Sequence, residues 1–248
     1  MKCILEIAGI PTEAQFAEDN VRGIFLPLLR KLTDMQRRKG NRLLIMLAAP
    51  PGAGKSTLVA FLQKLSASTP EICPLTAISM DGFHHRQTYL LAHTVERNGE
   101  TIPMTQIKGA PITFDLELLR QSLSLVAAGK RCHWPGYDRR IHDPVPDALQ
   151  VDGDLVLLEG NYLLLDEIGW CDLRGFADYT ISIEADPDVL RERLINRHIA
   201  GGLSRAEAIR KAENSDMANV RLCLEKQMPA DLRLRLREGN SFDVISGL

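Results

Sequence analysis

The chain has 248 residues, with 45% hydrophobic and 25% charged positions. That mix excludes a mostly disordered chain and leaves enough apolar material for one large domain, or one domain with an appendage. Thirty basic against 32 acidic residues give a net charge of −2, which argues against a nucleic-acid coat or a polybasic membrane binder.

The apolar run Leu43 to Ala49 is far shorter than the roughly 20 residues needed to span a bilayer. Glu6 interrupts the apolar N-terminus, against a secretory signal. Five cysteines, none in a C-x-x-C pair, argue against a disulfide scaffold or zinc ribbon. The expectation is a cytoplasmic protein, with neither nucleic acid nor membrane as partner.

In chain order, residues 1–10 read as a short strand. Residues 20–38 carry Val21, Ile24, Phe25, Leu28, Leu29, Leu32 and Met35 at helical spacing. Pro27 weakens the start of that helix, and Arg37 to Arg42 reads as a connector. Residues 1–40 are expected as an N-terminal extension packed on a main domain of residues 41–248. From residue 43 the pattern becomes strand, turn, helix, repeated. Strands are expected at Leu43–Leu47, Thr76–Met80, Leu155–Leu158 and Tyr179–Ile183, with a half-exposed strand where Leu232, Leu234 and Leu236 alternate with arginines. Helices are expected at Lys55–Leu65 and near 114–128, 187–199 and 204–224. Asp186-Pro187 supplies an N-cap with proline at N1, and Ser204 and Glu207 have capping-box spacing. The alternation implies an α/β fold with a mainly parallel sheet, strand C-termini gathered on one rim.

The strongest chemical signal is Ala49-Pro50-Pro51-Gly52-Ala53-Gly54-Lys55-Ser56. It follows G-x-x-x-x-G-K-[ST] except for Ala49 at the first glycine. Between a strand and a helix, such a loop turns backbone N–H groups around phosphate oxygens and points a helix N-terminus at them. Pro51, Gly52, Ala53, Gly54, Lys55 and Ser56 form the nucleotide cradle, with Thr57 secondary. Lys55 can reach the terminal phosphates and Ser56 can ligate Mg²⁺.

The strand ending in Glu159-Gly160-Asn161 puts a carboxylate where it can hold a metal's water shell, unless Glu159 is a surface acid. The strand ending in Asp81-Gly82-Phe83-His84-His85 brings Asp81 to the same rim. Asp81 is either the acceptor of a hydroxyl proton or a turn-forming residue. His84 and His85 have no cysteine nearby to suggest a metal site. Arg193 and Arg197 share one helical face ahead of Gly201-Gly202, which suits a lid as well as a solvated basic helix. Trp134 fits either a cavity wall or the core. His142 fits a substrate contact or a structural bridge.

Together the phosphate loop, Asp81-Gly82-Phe83 and Glu159-Gly160-Asn161 resemble P-loop kinases of the phosphoribulokinase, uridine kinase and bacterial pantothenate kinase group. Lys108-Gly109-Ala110-Pro111-Ile112-Thr113-Phe114-Asp115 resembles a pantothenate kinase stretch. Tyr137-Asp138-Arg139-Arg140-Ile141-His142 is similar to the substrate segment of uridine kinases, and Ile195-Asn196-Arg197 to the start of a lid. The whole is most similar to the nucleoside/nucleotide kinase-like, or fructose-transport-system kinase, branch.

The resemblance, over about residues 43 to 224, implies a three-layer P-loop NTPase-type fold with a helical lid. It also implies transfer of the γ-phosphoryl of ATP, with Mg²⁺, to a hydroxyl of a nucleoside, a pantothenate-like molecule or a sugar. Asp81, Lys55 and Arg197 are then the catalytic set. Asp81, Tyr137 and His142 then meet the acceptor, and Ser56 and Glu159 the metal; His84, where relatives vary, and Asn161 are further candidate acceptor contacts. A homodimer is compatible with this reading. The alternative is a nucleotide-driven switch or chaperone, but neither an Asn-Lys-x-Asp nor a Ser-Gly-Gly signature is present.

Overall fold

The computed structural model describes residues 1–7, 9–97 and 99–248. Strands β1 (Lys2–Ile7) and β2 (Ile10–Gln15) form an antiparallel hairpin where a single strand was expected; Ala8, within that expected strand, lies outside the described residues. A short helix α1 (Glu18–Asn20) runs through a π-helical segment at Val21–Phe25 into α2 (Leu26–Lys39). The wide turn falls just before Pro27, which can donate no helical hydrogen bond. Helix α2 reaches further than expected and ends at Gly40, whose left-handed φ of 67° suits a residue without Cβ.

The core element is β3 (Leu43–Ala48), buried at every position. After it come α3 (Lys55–Ala67), β4 (Leu75–Ser79), a 3₁₀ turn at Met80–Phe83 and α4 (Gln87–Ala92). Two hairpins follow, β5 (Thr94–Arg97) with β6 (Glu100–Pro103) and, after α5 (Leu116–Ala127), β7 (Cys132–Asp138) with β8 (Asp143–Val151). The chain continues through β9 (Leu155–Gly160), β10 (Tyr179–Glu184), α6 (Pro187–Ala200), α7 (Arg205–Lys211), α8 (Met217–Glu225), β11 (Leu232–Leu236) and β12 (Phe242–Ser246). A second π-helical segment, Ala212–Asp216, joins α7 to α8 where one helix was expected.

Six strands make the central sheet in the order β12-β11-β10-β3-β9-β4. All neighbours are parallel except β11 and β12. Successive side chains of a strand point to opposite faces, and β3 divides its run accordingly. Leu43, Ile45 and Leu47 join one core with α2, α3 and the start of α6. Leu44, Met46 and Ala48 join the other with α5, Trp134, Phe114 and Tyr162. The result is a three-layer α/β fold. The first core also takes in Phe16 and Phe25, which pack on Phe61 of α3 with ring centroids 4.2 and 5.9 Å away. Among the described residues, no helix is long and apolar enough to cross a membrane.

Candidate active site

The register of the central strands decides where the polar groups emerge. In β3–β9 pairing, Ala48 lies opposite Gly160, so the loop after β3 and the end of β9 leave the sheet side by side. In β4–β9 pairing, Ser79 lies opposite Glu159. Asp81 therefore leaves the rim one strand over.

Helix α3 starts at Lys55 behind Gly54, which stands at the N-cap with φ 79° and provides no side-chain cap. The first N–H groups of the helix are left to a ligand, and the positive end of the helix favours an anion. Gly52 also adopts a left-handed φ, 84°; a Cβ there would stand 3.2 Å from the Leu190 carbonyl and the Leu194 side chain of α6. Ala49 is buried and has none of the left-handed backbone seen at His142, Asp147 and Asn240, so the missing first glycine does not strain the loop. Pro51 and Ala53 are buried within the turn, and Thr57 lies half-buried in the first turn of α3.

The Ser56 hydroxyl donates to Glu159 Oε1 at 3.0 Å. Glu159 is 4% exposed, and among the described residues its Oε2 has no hydrogen-bond partner. Burial pushes its pKa above the usual carboxylate range; Lys55 opposes this and the charge of Asp81 adds to it. A buried carboxylate with one oxygen on a hydroxyl and the other free is the donor set a hard divalent cation accepts. The residues present therefore fit Mg²⁺.

Asp81 is the second residue of the 3₁₀ turn, its backbone N–H donating to the Ser79 hydroxyl at 3.2 Å. Trp134 of β7 donates its indole N–H to the Ser79 carbonyl at 2.8 Å, and its ring meets Phe83 edge-on at 4.8 Å. Gly82 is where the two segments touch: a Cβ there would sit 2.1 Å from the Pro135 carbonyl. Gly160 has the same tightness toward Met80 Sδ, also at 2.1 Å. Two glycines thus let the strand ends carrying Asp81 and Glu159, and the β7–β8 hairpin, close on one another. Trp134 is both alternatives at once, fully buried and part of a cavity wall.

That cavity, about 220 Å³, is lined by Ser56, Glu159, Asp81, Tyr137 and Arg139, and by Glu6 and Ile7 of β1. Loss of solvent, with Asp81 and Asp143 nearby, raises the Tyr137 phenol to about 12; it stays a neutral donor. The His84 ring lies tilted against Phe114 and Tyr137, with centroids 3.9 and 5.1 Å away, and its Nδ1 is 2.8 Å from the Asp81 carbonyl. Desolvation lowers its pKa, against the pull of Asp81. An uncharged ring here donates from Nδ1 to that carbonyl, fixing the turn from the far side.

Arg197 lies on α6. Desolvation lowers its pKa, Asp216 and Asp81 oppose that, and Arg139 adds to it. Its guanidinium stands 4.0 Å from Asp216, whose other oxygen accepts from His198 at 2.6 Å. Arg193 bonds Asn240 at 3.1 Å, and both stand beside Gly54. Three expected acceptor contacts, His84, His142 and Asn161, lie outside the cavity lining. His142 is exposed in the β7–β8 turn at φ 54°, and its carbonyl accepts from Lys108 at 2.6 Å. Asn161 has a buried Oδ1 with no partner among the described residues, but it is not among the lining residues.

Arg139, Asn240, Glu6 and Ile7 were not picked out by sequence reasoning. Asn240 and the β1 residues approach the site only through the fold, with no motif around them. Arg139 sits inside the segment similar to uridine kinases, between Tyr137 and His142, but at a position that carries no part of that similarity.

Residues 44–235 match the Phosphoribulokinase / Uridine kinase family. An uncharacterized Escherichia coli (strain K12) protein, YggC, is 40% identical over 99% of this chain and 100% of its own length. A candidate uridine kinase of Schizosaccharomyces pombe is 32% identical, covering 79% of this chain and 83% of that protein. The crystal structure of a candidate fructose transport system kinase from Silicibacter sp. TM1040 superposes with a TM-score of 0.73. It is 31% identical, over 83% of this chain and 97% of that one. With the phosphate loop, the paired carboxylates and the three-layer sheet in place, the chain belongs to the phosphoribulokinase/uridine kinase family and is a small-molecule kinase.

Proposed function

We propose that the protein transfers the γ-phosphoryl group of ATP to a hydroxyl of a small metabolite held in the cavity beside Asp81. The observation that carries this reading is the shared wall: Ser56 and Glu159 on the nucleotide side and Asp81 on the acceptor side line one cavity. The loop 49–56 and the α3 N-terminus bind the phosphates, and Lys55 faces their charge. Ser56 and Glu159 would hold Mg²⁺, which supplies charge neutralisation between the phosphates when bound. Asp81 takes the proton of the acceptor hydroxyl. That oxygen forms the new bond to phosphorus, the bond to the bridging β–γ oxygen breaks, and ADP leaves. Arg197, near Asp81 on α6, faces the charge on the group in transit. Tyr137 and His84 shape the acceptor end, and the carbonyl of His142 anchors the turn above it.

A nucleotide-driven switch, the alternative, needs the loop but neither an acceptor cavity nor a carboxylate opposite the loop. The free cysteines at 3, 73, 132, 171 and 223 suit a reducing cytoplasm. The test is ADP release with Mg-ATP across a library of metabolite alcohols. Turnover that depends on one class of small alcohol supports the kinase. Turnover that answers only to an added protein, with every alcohol silent, contradicts it.

A further inference from the structure

Within the β7–β8 turn, two adjacent arginines have opposite circumstances. Arg140 is exposed and paired with Asp138 through Nε at 3.0 Å and Nη2 at 2.7 Å. Arg139 lines the cavity and, among the described residues, makes no hydrogen bond or ion pair. Lys108, the next cation, is committed elsewhere. Its ammonium donates to Gln87 at 3.0 Å and to the His142 carbonyl at 2.6 Å, and lies 5.5 Å from the centre of the Tyr137 ring. Lys108 thus pins the turn and leaves Arg139 as the cation facing the acceptor space.

Arg139 is half-buried, and the planar fork of a guanidinium with no ion pair of its own matches an oxyanion. The acids of the cavity are otherwise engaged in the proposed reaction: Glu159 faces Ser56, and Asp81 is the base. Glu6 lies on β1 and is exposed. We propose that Arg139, with the neutral hydroxyl of Tyr137 beside it, recognises an oxyanion on the acceptor, a carboxylate or phosphate carried by the same molecule that presents the hydroxyl. This rests on the kinase reading and narrows its substrate class. The field of Arg139 reaches Arg197 as well as Tyr137, so the transferred phosphoryl group is the second source of an oxyanion that the test must separate.

Two measurements test it. In the alcohol screen, the productive acceptors are expected to be anions. Arg139→Gln is expected to raise the acceptor KM by roughly ten-fold or more, with kcat and the KM for ATP within about two-fold, and Arg139→Lys to recover part of the loss. A neutral alcohol as best acceptor, indifferent to Arg139→Gln, overturns the proposal. So does a fall in kcat at unchanged acceptor KM, which assigns Arg139 to the group in transit. The second measurement needs no turnover. With ADP saturating the phosphate loop, inorganic phosphate is expected to slow phenylglyoxal labelling of Arg139, mapped by mass spectrometry. Labelling unaffected by phosphate overturns the proposal. Protection without turnover on any alcohol leaves the oxyanion site standing and rejects the kinase reading alone.

Discussion

Glu159 holds one carboxylate oxygen on Ser56 and keeps the other buried and unpartnered. Its pKa lies above the ordinary 4.5 because burial disfavours the charged form. For a carboxyl raised on folding, the unfolded chain gives up its proton first. Its contribution to stability is therefore intact below 4.5 and declines as pH rises toward the folded pKa. The metal-free protein is expected to lose stability over that range relative to Glu159→Gln. Mg²⁺ should recover more stability at high pH than at low pH, because it replaces the proton. Thermal melts of both forms with ADP, with and without Mg²⁺, across pH check this; an Mg²⁺ response as large in Glu159→Gln contradicts it. The residue types of the cradle, Asp81 and Glu159 were legible because each follows an apolar run at a strand end. Arg139 was not, since nothing in Arg139-Arg140 says which of two neighbours is paired and which lines a cavity.

Among the elements, the connector before β3 is a fastening rather than a spacer. Arg42 is 2% exposed. It donates to the carbonyls of Gly153 and Lys130, each at 2.7 Å, with longer contacts to Val126 at 3.4 Å and Val151 at 3.5 Å. It ties the end of α5 and the β8–β9 link to the start of the central strand. Arg42→Met is expected to cost about 1–3 kcal/mol or more by leaving buried carbonyls unsatisfied, read as a lower midpoint in urea. An unchanged midpoint would mean that water replaces the guanidinium. Polar composition had marked this stretch as a connector, and a side chain reaching into a buried cage of carbonyls has no sequence pattern. The same limit hid the hairpins β5–β6 and β7–β8. Strands β3 and β9 were legible because both faces are buried, whereas β7 and β8 interleave Pro135, Gly136, Pro144 and Pro146 with half-exposed residues and lack a two-residue period.

At the scale of the molecule, the first 40 residues share a core with α3, the helix that follows the phosphate loop. Phe16 stacks on Phe61 at 4.2 Å and meets Phe25 edge-on at 5.8 Å. Asn20 binds the backbone of Phe242 through both ends of its amide, at 2.8 and 2.7 Å, and so fastens the extension to the last strand. We propose that the extension and the main domain unfold as one unit. Phe16→Ala should then lower a single transition by about 3–5 kcal/mol rather than split it. Two resolved transitions in calorimetry, with only the first moved, contradict this. Helical periodicity in 20–38 made α2 legible. Its partner did not follow from sequence, because Phe16, Phe25, Phe61 and Phe242 meet only through the fold.

The most direct measurement pairs two numbers from Asp81→Asn: the affinity for Mg-ATP by calorimetry and the rate of phosphoryl transfer to the best acceptor. A carboxylate that takes the hydroxyl proton and touches nothing of the nucleotide predicts nucleotide affinity within about two-fold of wild type. It also predicts a rate lower by roughly 10²–10⁴-fold. A variant that transfers at the wild-type rate, or loses nucleotide binding in proportion to activity, contradicts that role for Asp81.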